Sequence, residues 1–183
     1  MIYDLPTTID ISGREYQIRY DYKAILDICI ALNDPELSND EKAIVALSVF
    51  YKNIEEIPQD KYEEALKKCF AFIDCNDDKK HAKAPKLVDW EKDFKYIVAP
   101  VNRIMGSEIR TIENLHWWSF LSAYLEIGDC TFAQIVRIRD LLHRGKRLDK
   151  FDREWYARNR EIVDIDTVYT ESEKEILNSW GGV

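Results

Sequence analysis

Glycine and proline are scarce in this chain, at 6 and 5 of 183 residues. That scarcity excludes collagen-like repeats, long disordered linkers and low-complexity tracts. It also leaves little from which to build a backbone phosphate cradle, and neither Gly-x-Gly-x-x-Gly nor Gly-x-x-x-x-Gly-Lys occurs. Gly-x-Ser-x-Gly and His-Glu-x-x-His are absent too, which argues against the usual hydrolase and metalloprotease centres. No stretch approaches the ~18 apolar residues of a membrane span, and no basic-then-apolar leader opens the chain. A soluble, non-secreted protein is therefore expected, with no membrane partner. The four cysteines, Cys29, Cys69, Cys75 and Cys130, form no Cys-x-x-Cys pair and read as reduced structural thiols. Cys69, Cys75 and His81 lie close in sequence, but their spacing matches no zinc module. No metal or cofactor is expected.

What is present is apolar and acidic. Hydrophobic residues make up 46% of the chain and aromatics 12%, enough for a core in one domain of this size. The net charge of −8 argues against wholesale nucleic-acid binding. The charge is uneven. Residues 133–160 hold nine basic groups against four acidic ones, between acidic flanks. Such a strip is either a solvated helix face or a surface for docking a partner.

The periodicity predicts a mainly α protein. It is a compact bundle of about six to eight short helices with an N-terminal β-hairpin. Ile9 and Ile11 alternate with polar residues, Ser12-Gly13 supplies a turn, and Tyr16 and Ile18 alternate on the return. Asp21 caps a helix carrying Ile25, Leu26, Ile28, Cys29 and Leu32. Ser38 and Glu41 form a capping box before Ile44, Val45, Leu47 and Tyr51. Asp60 starts a helix through Leu66, Cys69, Phe70 and Ile73. Val88 to Met105 reads as a helix that Pro100 should kink or end. Thr111 to Asn114 should open the next helix, and Thr131 with Gln134 forms a second capping box. Residues 149–163 form a basic, aromatic stretch, and Thr170 to Glu173 caps a short final helix. The whole chain, 1–183, reads as a single domain. Its parts are a hairpin (1–20), a first helical part (21–75), a polar linker or loop (76–87), a second helical part (88–163) and an acidic tail with a short helix (164–183).

No catalytic constellation stands out, so the protein is not expected to be an enzyme. His116 has the chemistry of a general base but no orienting partner or nucleophile in sequence. Trp117 and Trp118 point about 100° apart on a helix, so one belongs to the core and the other reaches a second surface. The less buried indole is a candidate hot spot. Arg144, Arg147, Arg153, Trp155 and Arg158 are further candidates for contact with a partner, because aromatic and basic groups interleave there.

These pieces resemble a known family. Leu5-Pro6-Thr7-Thr8 before the hairpin, Leu37 to Lys42, Phe50-Tyr51, Ile57-Pro58, Asp93 to Ile97, and above all Leu115-His116-Trp117-Trp118-Ser119-Phe120 are similar to segments of the bacteriophage "gene product fifteen" proteins. That family belongs to tailed phages and prophages of Gram-positive bacteria. The resemblance covers about residues 5–160. It implies a role in tail morphogenesis, since such proteins are typically encoded between the tail-tube and tape-measure genes. A tail assembly chaperone of this kind binds the tape-measure protein and recruits tail-tube subunits, with apolar grooves as its working parts and weak self-association. It would act in the host bacterial cytoplasm during phage assembly. The alternatives are a structural component that stays in the virion and a small regulator that contacts nucleic acid.

Overall fold

The computed structural model describes residues 4–76 and 85–165. It is mainly helical with an N-terminal hairpin, as the periodicity predicts. The hairpin pairs β1 (Thr8–Ile11) with β2 (Arg14–Gln17) antiparallel, Ile9 opposite Tyr16. Among the described residues eight α-helices follow. They are α1 (Tyr22–Asn33), α2 (Asn39–Phe50), α3 (Tyr62–Ile73), α4 (Trp90–Met105), α5 (Trp117–Leu125), α6 (Thr131–His143), α7 (Lys150–Arg158) and α8 (Arg160–Val163). Most of the segment 76–87, with His81, and the final helix expected from Thr170 lie outside the described residues.

The hairpin turn needs positive φ at both central residues, 52° at Ser12 and 86° at Gly13. Glycine accepts this freely. Ser12 is held there by Glu64 of α3, which accepts from its backbone N–H at 3.1 Å and from its hydroxyl at 2.6 Å. Beyond β2 the chain stays extended and is stitched on both sides. Arg19 N–H donates to Phe50 O at 2.7 Å and Lys52 N–H to Gln17 O at 3.0 Å. Trp117 N–H donates to Tyr20 O at 2.7 Å and Tyr22 N–H to Leu115 O at 2.9 Å. Residues 17–22 thereby join the end of α2 to the start of α5. The Arg19 guanidinium adds bonds to the carbonyls of Ser48, Val49 and Tyr51, closing the C-terminal end of α2.

The caps at Asp21 and Ser38 fall as the residue pattern places them, the second a full capping box with Glu41. Other boundaries differ. The α4 helix starts at Trp90, capped by Asp89, and runs through Pro100 to Met105 without ending. Burial explains this: Ile97, Val98, Pro100 and Val101 are all in the core, and their packing outweighs one lost helix bond. Asp60 lies in a 3₁₀ turn (Gln59–Lys61) ahead of α3. Thr111 ends another 3₁₀ turn, and α5 begins only at Trp117, because Leu115 and His116 are spent pairing with the extended segment. The cap of α6 is Cys130, whose Sγ accepts from Ala133 N–H at 3.4 Å. Thr131 is therefore the first helical residue, and the expected box with Gln134 does not form. Ile44 and Phe70, assigned to apolar faces by periodicity, are 51% and 37% exposed.

One apolar cluster runs from Ile11 of the hairpin through Ile25, Phe50, Phe72 and Ile97 to Phe132 of α6. Tyr22 stacks on Phe120 at 4.7 Å between ring centres, and Tyr51 OH donates to Ala65 O at 2.9 Å. The helices around α6 are held differently. Arg139, 6% exposed, forms a fork to the fully buried Asp93 of α4, Nη1 to Oδ2 at 2.5 Å and Nη2 to Oδ1 at 3.0 Å. The same guanidinium donates to the carbonyls of Leu87, Ile162 and Val163. It gathers α4, α6, α8 and the chain entering α4 on one planar group. Removing one partner would leave the other charge buried alone. Asp93→Ala is therefore expected to cost about 3–5 kcal/mol, measured by urea denaturation, with Arg139→Lys also destabilising because an ammonium cannot reproduce the fork.

Candidate partner-binding surfaces

The segment His116-Trp117-Trp118 is the most distinctive in the sequence, and its side chains turn inward. His116 is buried and caps α5: Nδ1 accepts from Trp118 N–H at 3.1 Å, and Nε2 lies 3.0 Å from Pro6 O. Those partners require the neutral tautomer with its proton on Nε2. Burial pushes the imidazole below its ordinary value of 6.5, opposed by the contact with Pro6. Trp117 is 2% exposed and donates its indole N–H to Ile73 O at 2.8 Å. Trp118, half-buried, donates to Phe72 O at 2.9 Å and packs on the Phe72 ring. Both indoles thus clamp the last turn of α3, whose final carbonyls have no partner within their own helix. The expected split between a core indole and a less buried one is present. The polar edge of the less buried one is occupied by the protein itself.

The basic strip is partly spent internally. Arg139 is buried as described, and Arg137 pairs with the buried Asp152 carboxylate on α7. Arg144 pairs with Asp140 at 2.8 Å and Arg160 with Asp164 at 3.0 Å. Arg153 and Arg158 are exposed and donate Nε only to backbone carbonyls one turn back. Arg147 is exposed at the turn between α6 and α7, beside Lys146 and Lys150, while Trp155 is half-buried on α7. Phe151, one turn from Trp155, is 81% exposed. Arg144, Arg147 and Arg153 thus follow one another from the end of α6 through the turn into α7, all exposed. Trp117 and Trp118 lie elsewhere, on α5 against α3.

Periodicity did not single out the groove between α1 and α4. A cavity of about 350 Å³ lies between Tyr22 and Leu26 on one side and Trp90 and Phe94 on the other. A second, of about 320 Å³, continues it past Cys29 to Asn33 and Pro35. The two share Ile30, Trp90 and Glu91, so they adjoin along α1. A signal existed in the sequence: α1 is apolar nearly all round, with Ile30 outside the predicted core stripe, and such a helix must cover more than one surface.

Among the described residues no cluster of His, Cys, Asp and Glu could hold a metal, and no helix is long and apolar enough to cross a membrane. All four cysteines are free, and burial pushes the Cys29 and Cys69 thiols up to about 11 and about 12. These features define a small helical protein whose buried polar groups serve the fold and whose remaining features are surfaces. The chain belongs to the bacteriophage Gp15 protein family, whose model matches residues 1–165. It is a phage protein. No curated protein and no solved structure matches it.

Trp117→Ala is expected to cost about 3–5 kcal/mol, and Trp118→Phe about 1 kcal/mol through the lost bond to Phe72, both read from denaturation midpoints. Charge reversal at Arg153 and Arg158 should change stability by less than about 0.5 kcal/mol. His116 gives a pH dependence of defined sign. Well above pH 6.5 the imidazole is neutral in both states. Below it the unfolded chain takes up the proton first, so stability falls with pH until the native imidazole also titrates. His116→Asn, which keeps a cap but does not titrate, should flatten that limb in urea midpoints measured from about pH 8 to about pH 5.

Proposed function

We propose that the protein is a tail assembly chaperone that binds the tape-measure protein and helps tail-tube subunits assemble, without catalysis of its own. Family membership makes it a phage protein. The observation that carries the finer reading is the α1–α4 groove. Its lining sets Tyr22, Leu26, Ile30, Trp90 and Phe94 among charged side chains, and it runs beside a helix of 12 residues, about 18 Å at 1.5 Å per residue. That is the size and character of a slot for a single partner helix. The exposed basic run from Arg144 to Arg153, with Phe151, offers a second contact, suited to tail-tube subunits.

Co-expression with the tape-measure protein of the same phage tests the reading. The tape measure is expected to stay soluble and co-purify at a fixed ratio, and this protein to be absent from purified particles by mass spectrometry. Tape measure that aggregates despite good expression of both proteins, together with this chain in the particles, would instead identify a virion component.

A further inference from the structure

The groove has a charge pattern of its own. Asp27, Glu36 and Glu91 line it, and none of these carboxylates makes an ion pair among the described residues. Asp27 is unfavourably placed, since burial and the neighbouring Asp21 push its carboxyl up. The cations at the rim are already engaged: Lys86 with Asp89 at 3.1 Å, Arg110 with Glu108 at 2.8 Å, and Lys23 with the Arg110 carbonyl at 3.2 Å. Lys23 and Arg110 stand at the Tyr22 end, whereas Glu36 stands at the far end, past Glu91. The Pro35 half of the slot therefore sets Asp34, Glu36, Asp89 and Glu91 against Lys86 alone, whereas in the Tyr22 half Asp27 and Glu91 are balanced by Lys23 and Arg110.

We propose that this groove takes an amphipathic helix of about three turns with Lys or Arg at the end that lies over Glu36 and Glu91. The inference rests on the chaperone reading and names the part of the tape measure it would hold: a segment with apolar residues at helical spacing and a basic end. Apolar contacts with Ile30 and Trp90 would supply affinity. The carboxylates would fix direction, because the reversed helix would put its cations against Lys23 and Arg110.

Overlapping labelled peptides tiled across the tape-measure protein, titrated against the intact chain by fluorescence anisotropy, test this. The binding peptides should share an apolar stripe with a basic end. Glu36→Lys combined with Glu91→Lys should weaken them about tenfold or more at low salt, with the loss shrinking as salt rises. Exchanging the peptide's basic residues for Glu should restore binding to that variant. Ile30→Arg should abolish binding, and if that variant fails to fold by circular dichroism the charge exchange decides alone. Peptides that bind the reversed-charge variant unchanged would overturn the proposal, as would a tiling in which none binds. In either case soluble, co-purified full-length tape measure would still uphold the chaperone reading and move its site elsewhere.

Discussion

The extended run from Gln17 to Asp21, with the first N–H of α1 at Tyr22, is the constraint on which the other elements depend. It carries main-chain bonds to Phe50 and Lys52 on one side and to Leu115 and Trp117 on the other. A two-stranded hairpin is marginal in water, and so is an isolated helix of 9 to 12 residues. Joined at this seam they share one core, with Ile18 fully buried between them. The seam also decides where helices stop and start. Tyr51 leaves α2 and His116 precedes α5 because their backbones are needed for pairing.

This dependence marks the boundary of what was legible. Features fixed by neighbours in sequence could be read directly: the Ser12-Gly13 turn, the Asp21 cap and the Ser38–Glu41 box. Features fixed across the fold could not. The start of α5 depends on a strand pairing with Tyr20, far away in sequence. The persistence of α4 through Pro100 depends on what packs around it. The cap at Cys130 was hidden because a thiol is a weak acceptor and Thr131 offers a better one on paper. Among the candidate surfaces, the alternation of bases and aromatics around Arg147 was visible. The groove was not, since it exists only where α1 meets α4.

The same distinction governs the charges. In sequence Arg139 is one of nine bases in a strip, yet in the fold it is the buried centre of a fork and three carbonyl contacts. Burial of such a group is tolerated only because its donors are met, and what it contributes is a definite arrangement of α4, α6 and α8. Once Arg137, Arg139, Arg144 and Arg160 are paired within the chain, the outward basic character of the strip shrinks to the turn before α7 and to α7 itself. The groove carboxylates Asp27, Glu36 and Glu91, by contrast, make no ion pair among the described residues.

The indole clamp has an optical consequence. Trp117 lies 6.4 Å from Trp90 between ring centres, and Trp118 lies 5.5 Å from Phe72 and 5.8 Å from the His116 imidazole. Three of the five tryptophans thus sit at the contact of α3, α4 and α5. Light absorbed at one can pass to the next, and a protonated imidazole beside Trp118 would quench it. The fluorescence of these three indoles therefore reports on that junction, and Trp90, shared between the junction and the groove, carries the state of one into the spectrum of the other.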